Sequence, residues 1–292
     1  MKPRDVAQAV LVAVVWGFAF IASKVSLESF SAPQLTAWRF VIAALPVLWV
    51  PRPRLGWPLL IGIGLALFTG QFLFQFFAIA NGMPPGLTAV MVQTQAFFTV
   101  LLAMGLLGER PFPRQLLGMG IALLGLVLIG FSVGGAVTIW GLVLTLISAA
   151  SWGVGNILVK QLNKVEMLPL MVWASLIPPL PALVLSMILD GPTDFWHNLT
   201  TASWLSLGAT LYLGLFATIS AYAIWGKLLQ DYSAATVTPF ALLVPGVAAF
   251  FSYWLLGERF GPLRLAGMVA MIVALILIVL PADRLMLKRP FS

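Results

Sequence analysis

Ala13-Val14-Val15-Trp16-Gly17-Phe18-Ala19-Phe20-Ile21-Ala22-Ser23-Lys24 opens one half of the chain, and Ala149-Ala150-Ser151-Trp152-Gly153-Val154-Gly155-Asn156-Ile157-Leu158-Val159-Lys160 opens the other. Both stretches are apolar, both carry Trp-Gly, and Lys follows the Trp at the same distance. A second motif closes each half: Leu106-Leu107-Gly108-Glu109-Arg110 recurs as Leu255-Leu256-Gly257-Glu258-Arg259. The sequence is therefore a tandem duplication, with one copy over 1–131, a second over 138–281 and a tail at 282–292. In membrane proteins such duplicated halves commonly build a site at their interface.

The solvent of this chain is lipid. Hydrophobic residues make up 61% and charged residues 9% of its 292 positions, against roughly 25% charged in a soluble domain. The apolar runs recur throughout, and about 20 residues suffice for a helix to cross a bilayer. The fold class expected is an all-α polytopic membrane protein of ten transmembrane helices. With charge, proline and glycine as punctuation, the spans fall at 4–27, 33–50, 57–80, 84–107, 113–131, 138–160, 167–189, 203–227, 233–256 and 262–281. The first run is too long for a signal-peptide core and lacks a small-residue cleavage site, so it reads as a permanent helix. The loops are short, and the single histidine, His197, falls in a polar one.

Charge sets the orientation. With the N-terminus inside, twelve of the sixteen Lys and Arg residues are cytoplasmic: Lys2, Arg4, Arg52, Arg54, Arg110, Arg114, Lys160, Lys164, Lys227, Arg284, Lys288 and Arg289. Arg259 and Arg264 lie outside, Lys24 and Arg39 lie within helices near the outer end, and the nine acidic residues, five inside and four outside, show no such bias. Positive loops stay in the cytoplasm, so both termini are expected there. An odd number of helices per copy turns the second copy over, giving two inverted five-helix repeats. The basic residues are single loop charges rather than a nucleic-acid patch.

Several chemistries are excluded by composition. The chain has no cysteine, hence no disulfide, thiolate or zinc-thiolate site. No phosphate-binding glycine loop ending in Lys-Ser or Lys-Thr, complete dinucleotide fingerprint, paired histidines or serine elbow is present. The reading is not an enzyme, with no cofactor and no metal.

Ten helices in two halves, each opening with Trp-Gly and closing with Leu-Gly-Glu-Arg before a glycine-rich last helix, resemble the drug/metabolite transporter superfamily, and within it the EamA-type exporters. The resemblance covers essentially the whole chain and is nearest to the bacterial inner-membrane branch that exports aromatic and other neutral amino acids. It implies a secondary exporter of small molecules, monomeric or homodimeric, working by alternating access. Amino acids are the substrates so implied, with drugs or other small metabolites as the alternative within transport. A non-transporting receptor or scaffold is the alternative of another class, and the short linkers offer it little partner surface.

Candidate site residues follow from polar groups that lipid would not tolerate. Gln71 and Gln75 share one face of the 57–80 helix, amid Phe72, Phe74, Phe76 and Phe77; they read as a cavity wall or as interhelical glue. In the next helix Gln95 continues a face with Thr88, Met91 and Phe98, leaving Gln93 and Thr94 turned away as packing residues. Trp16 and Trp152 read as stacking surfaces or as packing. Asn156 lies one turn beyond Trp152, and Tyr222 aligns with Thr218 and Trp225. Arg39 either meets a substrate carboxylate or snorkels to the outer interface, with Lys24 paired to Glu28. Pro46, Pro178, Pro179, Pro181, Pro239 and Pro245 mark kinks. The last helix of each repeat holds almost no polar residues and is expected at the periphery, and its small residues, Gly118, Ala122 and Gly125 or Ala266, Ala270 and Ala274, read as close packing within the chain or as a dimer face. No Asp or Glu falls mid-membrane, so gradient-driven movement without a proton relay is expected.

Overall fold

A computed structural model describes residues 1–108, 110–131, 137–162, 166–232 and 237–279. Glu109, Lys164, Leu280, Pro281, the 282–292 tail and residues 233–236 of the ninth expected span lie outside the described residues. The architecture is helical: α1 Pro3–Ser26, α2 Ala32–Ala44, α3 Trp57–Ala80, α4 Pro85–Leu107, α5 Pro113–Phe131, α6 Ile139–Lys160, α7 Met167–Leu189, α8 Gly191–Thr201, α9 from Trp204 to Asp231, α10 Leu243–Leu256 and α11 Pro262–Val279. Among the described residues α1, α3, α4, α6, α7 and α9 are each long and apolar enough to cross a membrane, and the remaining apolar helices are shorter.

Local chemistry starts and stops these elements. Ser31 accepts from the Gln34 backbone N–H while the Gln34 side chain accepts from the Ser31 N–H, a reciprocal capping box. Thr138 and Ser203 cap α6 and α9 in the simpler way. The repeated Leu-Gly-Glu-Arg is a helix stop, since Gly108 (φ 63°) and Gly257 (φ 66°) are left-handed C-caps. Exposed tryptophans stand near helix ends, at Trp49, Trp57, Trp140, Trp204 and Trp254, as at a membrane interface.

Three expected spans are interrupted where prolines stand, and one expected loop is helical. The 33–50 span ends its α-helix at Ala44 and finishes as a 3₁₀ turn, Leu45–Leu48, because Pro46 has no N–H to continue the ladder. Helix α7 breaks into Met167–Ala174 and Pro179–Leu189 around Pro178-Pro179. The α10 span enters through a 3₁₀ turn, Thr238–Leu242. The polar loop holding His197 is a short helix, α8, tied to α2 by Asn198 Nδ2 donating to Gln34 Oε1 at 3.2 Å.

The packing between halves is reciprocal. A methyl group on Gly17 would lie 2.6 Å from Val247 in α10, and one on the equivalent Gly153 would lie 3.0 Å from Phe98 in α4, the repeat counterpart of Val247. Likewise Gly64 of α3 abuts Ile177 of α7, while Gly214 of α9 abuts Ile42 of α2. Gly17 and Val247 thus meet as their counterparts Gly153 and Phe98 do, and Gly64 and Ile177 as Gly214 and Ile42 do, in exchanged roles. Helices α5 and α11 pack on one another through Gly118 against Ala274 and Gly125 against Gly267, so the small residues serve contact within the chain.

Candidate functional site: a central cavity between the two halves

Between the halves lies a cavity of about 450 Å³, large enough for a small organic molecule. Its wall draws on α1 (Trp16, Ala19, Phe20), α2 (Arg39), α3 (Gln71, Phe72, Gln75), α4 (Ala89, Val92, Gln93, Gln95, Ala96), α6 (Trp152, Asn156), α7 (Met167), α9 (Tyr222, Trp225), the turn before α10 (Ala241, Leu242), α10 (Val244) and α11 (Leu275). All eight candidates, Trp16, Arg39, Gln71, Gln75, Gln95, Trp152, Asn156 and Tyr222, line it. Among the described residues α5 contributes nothing, whereas α11, expected at the periphery, supplies Leu275.

Departures from α-helical pitch aim several of these groups. Helix α3 is π-helical over Gly64–Gly70 and α9 over Leu215–Ser220, equivalent positions of the two repeats. Hydroxyls hold the wider turns by donating five residues back: Thr69 to the Gly64 carbonyl, Thr218 to Leu213 and Ser220 to Leu215. Such π segments cluster at functional sites. Gln71 and Gln75 follow the first, Tyr222 and Trp225 the second. Both glutamines are at least 95% buried from solvent, and the Gln71 carbonyl accepts from Ser148 of α6 at 2.7 Å.

In α4 the expected face is corrected. A 3₁₀ turn over Val92–Thr94 advances about 120° per residue instead of 100°, which rotates Gln93 toward the cavity beside Gln95. The two amides share a hydrogen bond, Gln95 Nε2 donating to Gln93 Oε1 at 3.3 Å. Thr88 and Met91 are buried elsewhere, Thr88 donating to its own Pro84 carbonyl, and Phe98 packs on Gly153. Met167 is a lining residue with no signal in the sequence beyond its place at a helix start.

Trp16 Nε1 donates to the Ala217 carbonyl at 3.0 Å inside the α9 π segment. Its ring meets Tyr222 at 5.3 Å and Trp225 at 5.2 Å, so it both packs and presents a face to the cavity. Asn156 donates to Thr99 Oγ1 at 3.1 Å. The result is an aromatic enclosure with amides on one side.

Arg39 does not snorkel. It is 3% exposed, its Nε donates to Thr218 Oγ1 at 3.2 Å, and its guanidinium carbon stands 3.8 Å from the Phe72 ring centroid. A desolvated cation–π contact contributes about 2 kcal/mol, short of the several kcal/mol that burying the ion costs. Lys24 forms no ion pair with Glu28; its charge acts on Glu258.

Glu258, just past α10, reaches the first half. Its Oε2 accepts from the Gly86 N–H at 3.2 Å, at the N-terminus of α4, where a helix welcomes negative charge. Burial nevertheless pushes its carboxyl up to about 7, with Gly86, Ser252, Arg264 and Lys24 acting in the opposite direction.

Comparison with known proteins places these features. The model of the EamA-like transporter family matches the chain twice, over residues 5–131 and 139–280. Over 282 residues the chain is 40% identical to proteins of Escherichia coli and Salmonella typhimurium each named "Probable amino-acid metabolite efflux pump", covering 94% of both partners in each case. It is 30% identical to a Streptantibioticus cattleyicolor protein named "Probable terminal-alkyne amino-acid exporter", over 88% of this chain and 87% of that one. A crystal structure at 15% identity aligns over 98% of this chain and 99% of its own with a TM-score of 0.64, a likeness of fold alone.

Proposed function

Because the chain belongs to the EamA-like transporter family, and is thus a membrane transporter and not an enzyme, we propose that it is a secondary exporter of amino acids, aromatic and other neutral ones favoured. Ten helices in two inverted repeats, 1–131 and 138–281, form the frame, in the bacterial inner membrane with both termini cytoplasmic. The reciprocal contacts of Gly17 with Val247 and Gly153 with Phe98 support the two-fold relation, and the names of the relatives support the substrate class.

The observation that carries the reading is the cavity itself, walled by both halves and lined by Trp16, Phe72, Trp152 and Trp225 with Gln71, Gln75, Gln95 and Asn156. Aromatic rings accept an apolar side chain and amides meet polar groups of the backbone. Among the described residues no Asp or Glu lines the space, so no carboxylate is at hand to relay protons or hold a drug cation, and movement follows the substrate gradient. Alternating access rocks one half against the other about this site, with the α7 break and the π segments as bending points.

Purified protein in liposomes tests this. Labelled phenylalanine, methionine or threonine is expected to cross the bilayer through it. Failure of every amino acid, alongside uptake of a lipophilic cation or a nucleotide sugar, would overturn the assignment.

A further inference from the structure

We propose that the cavity selects its ligand by the carboxylate and not by the ammonium: Arg39 is the anchor, so the site takes apolar carboxylates whether or not they carry a free amine, and rejects their amides and amines. The proposal rests on the transport reading for its location and goes beyond it in substrate class.

Arg39 is the one charged side chain among the described lining residues. Its Nε is engaged by Thr218 and its face by Phe72, at 3.8 Å, with Phe40 and Phe76 farther off at 5.5 and 6.0 Å. The terminal nitrogens donate to no described residue, and no described carboxylate pairs with them. A guanidinium held in this way, fixed by its Nε and stacked on a ring, keeps free the fork that grips a carboxylate with two parallel hydrogen bonds. Burial makes the missing anion matter, because an unpaired charge in a low dielectric is stabilised strongly by the first counter-ion to arrive.

An ammonium finds no equivalent partner. The polar groups opposite are neutral amides, and part of their capacity is spent, Gln95 on Gln93 and Asn156 on Thr99. It would also share the cavity with Arg39, whose field repels it. Tyr222 adds a neutral phenol. The ligand's charge requirement is therefore asymmetric: one negative group is needed and one positive group is tolerated.

The test combines binding and exchange. Purified protein in detergent is heated with phenylalanine, 3-phenylpropionate, N-acetylphenylalanine, phenylalaninamide or 2-phenylethylamine, and the same compounds compete with labelled phenylalanine exchange in liposomes. The two amine-lacking acids are expected to stabilise the protein and to compete within about threefold of phenylalanine. The amide and the amine should be at least about tenfold weaker, the loss of one charge-assisted hydrogen bond. Arg39→Met should erase the distinction and Arg39→Lys should keep part of it. If Arg39→Met does not fold, Thr218→Val, which frees Nε, should raise the KM for phenylalanine while leaving the order of competitors intact. Exchange in which phenylalaninamide competes as well as the acids overturns this proposal and leaves amino-acid transport standing. Stabilisation by the acids without any amino-acid exchange upholds the anchor and overturns the transport reading, whereas stabilisation by none of the acids overturns the anchor.

Discussion

Gln93 and Gln95 show how a side chain's direction depends on the local pitch of the backbone. Sequence spacing separates them by two α-helical positions, roughly 200° apart, yet a 3₁₀ turn brings both to the cavity. Residue types are therefore legible where lipid makes polarity conspicuous: Arg39, Gln71, Gln75 and Asn156 stand out in an apolar text. Direction is legible only where the helix keeps its pitch, and Met167 is invisible because methionine fits any apolar surface. Two expectations belong to this scale. Gln75→Ala and Trp152→Ala should each lower amino-acid transport by about tenfold or more, the equivalent of about 1.4 kcal/mol, with folded protein unchanged by size-exclusion chromatography. Glu258 gives a pH dependence. Burial pushes its carboxyl up from an ordinary 4.5 to about 7, so the fold prefers the protonated form and binds more protons than the unfolded chain between those values. Stability should fall as pH rises from about 4.5 through about 7, and Glu258→Gln should flatten that slope in thermal unfolding measured across the range.

Elements follow from composition, and their interruptions follow from chemistry that composition hides. Apolar length locates the spans, and proline locates the α7 break and the turns at Pro46 and before α10. The π segments of α3 and α9 carry no proline; their trace is Thr69, Thr218 and Ser220, hydroxyls that a helix in lipid turns onto its own carbonyls. Helix α8 escapes a reading by apolar length because its 11 residues are polar for a span and its role is to cover the end of α2. Close approach between helices is testable here. Gly17→Ala and Gly64→Ala insert a methyl group 2.6 Å from Val247 and Ile177, and each should cost about 1–3 kcal/mol. Gly120→Ala, with nothing within 4 Å, should be neutral or slightly stabilising by helix propensity.

At the level of the whole molecule, duplication makes the frame and divergence makes the site. The tryptophans repeat, and so do the π segments and the glycine contacts, whereas Gln71, Gln75, Gln93 and Gln95 have no glutamine counterpart: Ala221, Trp225, Leu242 and Val244 stand at the equivalent positions. Both halves line the cavity with aromatic rings, the first half adds Gln71, Gln75, Gln93 and Gln95 and the second Asn156 and Tyr222, and Arg39, the one cation among the described lining residues, reaches across from α2 to Thr218 of α9. Orientation can be read directly, since a chain without cysteine accepts single reporters with no background: Arg54→Cys should react only with reagent delivered from the cytoplasm and Asp194→Cys only from the outside. Amino acids are proposed to cross through this cavity. The most direct test is the initial rate of labelled phenylalanine uptake into liposomes by the natural protein and by Trp152→Ala at equal folded amounts, with and without a proton gradient. Uptake is expected to equilibrate, to be indifferent to the proton gradient and to be largely lost in Trp152→Ala; uptake that survives the substitution undiminished would contradict passage through the cavity.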